Sequence, residues 1–200
     1  NRYVAAAQKI SRLAVGGAET SVQVQTVDVP GDLTQEDRLP GMPMGTRGGV
    51  STRYTFPQDG EYDIQVVLAR NLENIVSGLR EARPHQLLVL MDREPVKTFT
   101  VQRIRNADDT QADKDLKVRL PVKAGSHEIV ATFLKDTVQP EGIIRRLRDT
   151  AFYEGVGSIS VGGPYNVKGS GETASREKIF ICRPAMQSEE RACAEKIFAK

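Results

Sequence analysis

The sequence contains no tryptophan, only two cysteines and two histidines in 200 residues, and 6% aromatic residues. Two cysteines exclude a disulfide scaffold and a multi-cysteine zinc cluster. The two histidines, His85 and His127, fall at opposite ends of the expected strands, so they offer no histidine pair for a metal. Long apolar runs are missing too: stretches such as Leu87 to Met91 are far too short for a membrane span. Neither sign of charge dominates. Lys plus Arg number 28 against 26 Asp plus Glu, a formal charge of +2, which is no nucleic-acid footprint. Catalytic signatures are absent: no nucleophile elbow, no HExxH, no phosphate loop and no CxxCH. A carboxylate pair for glycoside hydrolysis needs no motif, and nothing singles one out. A hydrophobic content of 39% without low-complexity repeats excludes a disordered chain. The chain opens on Asn1 rather than Met, which points to a piece of a larger protein.

What is present is periodicity. Tyr3, Ala7, Ile10 and Leu13 or Ala14 fall at helical spacing, Lys9 and Arg12 suit the C-terminal end of that helix, and Gly16-Gly17 stops it near residue 15. The period then changes to two. Val22 and Val24, then Val27 and Val29, suggest a strand with a slip or bulge. Val50, Thr52, Tyr54 and Phe56 alternate with polar residues, as do Tyr62, Ile64, Val66 and Leu68. Between them Pro57-Gln58-Asp59-Gly60 predicts a turn with Gly60 at positive φ. Further strands are expected over 86–91, 96–101, 116–120, 129–133 and 156–161, with turns at 92–95 and 123–126. The expected fold is all-β: an antiparallel jelly-roll sandwich of about eight strands over 18–164. A helical end at 1–17 precedes it. An extended linker and a second helix over 189–199, with Ser188 as N-cap, occupy 165–200.

The connections alternate strictly between short and long. Short turns fall at 57–60, 92–95 and 122–127, and long connections at 30–49, 70–85, 104–115 and 135–155. In an antiparallel sandwich successive connections lie at opposite ends, so the long ones should gather at one end and present a binding surface. The same loops could instead pack against neighbouring helical domains, making the sandwich a spacer or docking unit with no ligand of its own. The first long connection offers Glu36 and Asp37 as hydroxyl or cation acceptors, and Arg47 as a planar donor fork, among glycines that allow close approach. The second offers Arg70 and Asn74. The third carries Asp108, Asp109, Asp113 and Asp115, a possible calcium set whose spacing departs from the EF-hand pattern. The fourth holds Arg145, Arg146 and Arg148 before Tyr153, the aromatic best placed to stack on a sugar ring. Without tryptophan, a glycan site would depend on polar hydroxyl recognition or calcium more than on stacking. Cys182 and Cys193 are open to two readings, a disulfide or two buried thiols.

Several stretches resemble one segment of the large planctomycete-type cytochrome-associated secreted proteins. They are YVAAAQKISRLAV from Tyr3, LTQEDRLPGMPMGTRGG from Leu33, GGPYNV from Gly162, IFICRP from Ile179 and ACAEKI from Ala192. That resemblance implies a β-sandwich module between helical domains, a secreted or periplasmic location, and a Cys182–Cys193 disulfide in an oxidising compartment. The haem motif of those chains is missing here. The DGEY, MDRE and KAGSHEI segments are similar to those of galactose-binding-like carbohydrate-binding modules, some of which use calcium. The expectation is a non-catalytic module that binds a polysaccharide at the loop end through Glu36, Asp37, Arg47, Arg70, Asn74 and Tyr153. Its other partners would be the neighbouring domains of the parent chain, with no nucleic acid and no membrane insertion.

Overall fold

The computed structural model describes residues 2–15, 22–31, 33, 35–70, 75–76, 78–79, 84–102, 111–135, 154–169 and 174–199. Among the described residues, eight strands form two four-stranded antiparallel sheets. They are β1 (Gln23–Asp28), β2 (Thr46–Phe56), β3 (Asp59–Leu68), β4 (His85–Met91), β5 (Glu94–Val101), β6 (Lys117–Val122), β7 (Gly125–Leu134) and β8 (Val156–Gly169). The first sheet has the order β1-β8-β3-β6 and the second β2-β7-β4-β5, the strand order of a jelly roll. Helix α1 (Arg2–Val15) precedes the sandwich, and α2 (Ala174–Ile179) and α3 (Glu190–Phe198) follow it.

Alternation determines which side chains enter the core. On β3 the alternate residues Tyr62, Ile64, Val66 and Leu68 are buried, and they face Leu87, Val89, Ile129, Ala131 and Phe133 of the second sheet. Burying each of the Val, Leu, Ile and Phe side chains contributes about 1.5–3 kcal/mol relative to leaving it exposed. At the end carrying the short turns, Phe56 meets Tyr54, Tyr62 and His127 edge-on, with centroids 4.7, 4.6 and 5.5 Å away. The Tyr62 hydroxyl donates to the Gln58 carbonyl at 2.9 Å. Burial, with Tyr54 and Asp59 nearby, pushes its pKa up to about 12 against that bond.

A second, smaller cluster lies on the outer face of the second sheet. Leu39 and Met42, from the connection between β1 and β2, cover Leu88, Leu90 and Val130. That connection therefore folds back over the sheet rather than standing free of it.

Some details differ from the sequence reading. Gly60 does not take positive φ; it is glycine because a Cβ there would meet the Tyr165 carbonyl oxygen at 2.9 Å. Positive φ falls instead on Asp92 (50°) and Arg93 (71°), which close the β4–β5 hairpin. β1 carries no slip: its six pairs with β8 run in unbroken register, so Val24 and Val27 lie on opposite faces. β8 continues past Gly162-Gly163-Pro164 to Gly169, keeping its pairing with β3 through register shifts around Glu61. α2 occupies the end of the expected linker. Ser188 sits in a 3-10 turn, and the residue before α3 is Glu189, with no side-chain cap.

Candidate functional site

The strand register brings the starts and ends of the long connections together. Asp28 lies opposite Ser158 and Leu68 opposite Val156 in the first sheet; Thr46 lies opposite Leu134 and His85 opposite Val101 in the second. Side chains join the two sheets at this end. The Gln35 amide accepts from the Gly49 and Val156 N–H groups, both at 2.9 Å, and donates to the Val156 carbonyl at 2.8 Å. It thereby ties β2 to β8. A β-bulge between Arg47 and Val50 makes the fit possible, with Gly48 and Gly49 at φ of 55° and 101°. A Cβ on Gly49 would lie 2.1 Å from the Ala131 carbonyl oxygen, so no other residue fits. The Thr132 hydroxyl donates to the Gly48 carbonyl at 2.8 Å and fastens the bulge to β7.

Beneath the bulge is a buried charge cluster. The Arg47 guanidinium pairs with the Glu154 carboxylate, and His85 Nδ1 lies 3.0 Å from the same carboxylate oxygen. Arg47 is 8% exposed and Glu154 2%, so neither charge is solvated. Burial pushes the Glu154 pKa up, but the His85 hydrogen bond and the Arg47 charge outweigh it and hold the carboxyl below its ordinary value. A second clamp stands at the end of β3. Asp113 accepts from the Leu68 N–H at 3.0 Å and from Arg70 Nη2 at 3.0 and 3.1 Å.

The expected site residues thus separate into three groups. Glu36 is half-buried and Asp37 exposed at the loop end, where the Asp37 carbonyl accepts from the Gly48 N–H at 2.9 Å. Arg47 and Arg70 turn their donor forks to carboxylates of this same chain. Asn74 and Tyr153 lie outside the described residues, as do Asp108, Asp109 and the arginines at 145–148. Of the acids read as a possible calcium set, Asp113 holds Arg70 and Asp115 is exposed. Among the described residues, no group of three His, Cys, Asp or Glu is placed to hold a metal ion. Gln35 and Glu154 were missed by sequence reasoning. Gln35 meets Val156 across 121 positions, a distance at which nothing local in the sequence marks a pair.

Two further surfaces carry charge. On the outer face of the first sheet, Arg119 grips Asp63 with Nε and Nη2 at 2.7 and 2.8 Å and lies over the Tyr165 ring at 4.1 Å. The Arg119 fork holds the Asp63 pKa down to about 2 against burial, with Lys117 Nζ adding its charge at 2.7 Å. At the short-turn end, a cleft of about 480 Å³ lies between Asp59, Arg176, Phe180 and Ile197, beside the cysteines. Cys182 and Cys193 form a disulfide with Cα atoms 5.7 Å apart, as the resemblance implied. A disulfide fits an oxidising compartment. No helix among the described residues is long and apolar enough to cross a membrane.

No family model and no curated protein matches the chain. The resemblance to the planctomycete-type cytochrome-associated proteins is not supported. Solved structures similar to it include a family 35 carbohydrate binding module from Clostridium thermocellum, at 12% identity and a TM-score of 0.32, covering 70% of this chain and 90% of that one. A GH115 4-O-methyl-α-glucuronidase with specificity for decorated arabinogalactans shares 14% identity at a TM-score of 0.37. That overlap covers 62% of this chain but only 14% of the glucuronidase. A ruminal GH26 endo-β-1,4-mannanase matches at 11% identity and a TM-score of 0.30, over 86% of this chain and 32% of that one. Likeness at this level assigns neither a family nor a ligand to the chain.

Proposed function

We propose that the chain is a non-catalytic carbohydrate-binding module of a secreted or periplasmic protein, and that it holds a polysaccharide at the long-connection end. The observation that carries this reading is the buried network at the roots of the long connections: Gln35 between the sheets, Arg47 with Glu154 and His85, and Arg70 with Asp113. Fixed roots lower the ordering cost of binding. In this reading Arg47 and Arg70 position the loops, while Glu36, Asp37, Asn74 and Tyr153 contact sugar hydroxyls and ring faces. Calcium is a candidate aid to that contact. The test is affinity electrophoresis through gels containing plant and algal polysaccharides, with calcium and with chelator. Retardation on at least one polysaccharide is expected, lost in the double variant Glu36→Gln, Asp37→Ala with its melting temperature unchanged. Free migration through every gel would sink the proposal.

A second reading, a spacer or docking unit, draws support from the helices. Tyr3 and Ile10 of α1 and Phe198 of α3 are exposed at 91%, 66% and 89%. Footprinting of Glu36 and Asp37 beside any flanking helical domain separates the two readings: protection there favours docking, and accessibility favours the glycan.

A further inference from the structure

A jelly roll of two open sheets has four edges, here β1 and β6 in the first sheet and β2 and β5 in the second. An open edge is a row of backbone donors and acceptors that will pair with another strand unless something prevents it. Three of the four edges carry such a protection. β6 has Lys117, Arg119 and Pro121, and β5 has Pro95 and Lys97. β2 is bent by the Gly48-Gly49 bulge, and its Gly48 N–H is already taken by the Asp37 carbonyl. β1 has none of them. Its sequence is Gln-Val-Gln-Thr-Val-Asp, with no proline, no basic side chain and no register shift, and all but one of its six residues are exposed.

The backbone phase determines what β1 offers. The Val29 N–H donates to the Gly157 carbonyl at 2.8 Å, continuing the β1–β8 ladder. The odd-numbered residues of β1 therefore bond β8, and the N–H and C=O groups of Val24, Thr26 and Asp28 point to the open edge. Only an extended chain matches that spacing of donors and acceptors.

We infer that the β1 edge is an interface for a second copy of this chain, pairing antiparallel with its β1. A two-fold axis normal to the sheet can set Thr26 against Thr26 of the second copy. Val24 then faces Asp28, and the mirrored pair does the same. Each of the three facing pairs exchanges two hydrogen bonds, and the two first sheets become one continuous sheet. The register is self-complementary because it never sets Asp28 against Asp28, and because β1 has no other charge. Val24, 69% exposed as a monomer, is covered on assembly. A single strand pair buries less than a standard interface, so the association is weak.

Sedimentation equilibrium tests this on the whole chain from about 10 µM to about 1 mM. The expected result is a mass rising from 22.0 kDa toward twice that value. Thr26→Pro removes an edge donor that β8 does not use, and Val24→Glu sets a second carboxylate against Asp28 of the other copy. Each should raise the association midpoint at least tenfold. Amide exchange gives a readout in the unaltered protein: Val24, Thr26 and Asp28 should gain protection with concentration, while Gln25 and Val27 should not change. A mass constant at 22.0 kDa over the range overturns the inference. So does a dimer that survives both variants, or one whose edge amides exchange at the same rate at every concentration.

Discussion

The two ends of the sandwich are held by different means. At the short-turn end the fastenings tie one turn to the next and stand partly in solvent. Asp59 accepts from the Ala124 N–H at 2.7 Å and pairs with Lys123, whose side chain is 85% exposed. Asp92 accepts from the Glu128 N–H at 2.9 Å and from His127. At the long-connection end the fastenings are more deeply buried. The difference follows from chain entropy. A two-residue turn needs one carboxylate to finish its hydrogen bonds, whereas a long connection must be fixed against many alternatives.

The largest test of that contrast is Glu154→Gln. It removes the carboxylate charge that the buried Arg47 and His85 share, and a loss of about 3 kcal/mol is expected in urea unfolding. A loss near zero would mean that the loop end does not depend on the cluster. Next comes Gln35→Leu, which strands the Gly49 and Val156 N–H groups. About 2 kcal/mol is expected, together with faster exchange of those two amides. Smallest is Asp59→Ala at the opposite end, with about 1 kcal/mol lost at neutral pH. The hydrogen bond from the Ala124 backbone holds the Asp59 carboxyl below its ordinary 3.8, against burial and with help from Lys123. Its contribution is therefore present above that value and lost as pH falls through the folded pKa. The variant and the parent should converge in stability at strongly acidic pH. If Asp59→Ala cost as much as Glu154→Gln, the two ends would not differ in kind.

Much of the fold was legible in the sequence because period two survives wherever one strand face is buried. Tyr62, Ile64, Val66 and Leu68 show this, and all four are core residues. The alternation of short and long connections was legible for the same reason, since it depends only on where the alternation stops. The continuation of β8 was not, because Gly162, Gly163 and Pro164 look like a terminator while β3 still supplies a partner. The site was less legible than the fold. Glu36 and Asp37 could be placed on a loop, but an arginine's fork has the same appearance in sequence whether it faces solvent or a carboxylate. Arg47 meets Glu154 across 107 positions, and only the pairing of distant strands brings them together.

The adjacency of the first and last strands has a mechanical consequence. β1 begins at Gln23 opposite Gly163 of β8, and Arg176 of α2 reaches the Val15 carbonyl of α1 just outside them. β8 runs on to Gly169 beside Asp59, so the chain enters the sandwich at Gln23 of β1 and leaves it at Gly169 of β8. Tension applied through the two flanking segments would load the α1–α2 contact first. It would then open the β1–β8 ladder one rung at a time from Gln23, like a zip. The six rungs would not share the load as they would if sheared along their length. The sandwich should therefore yield to low force from these two strand ends while the β2–β7 pairs stay folded.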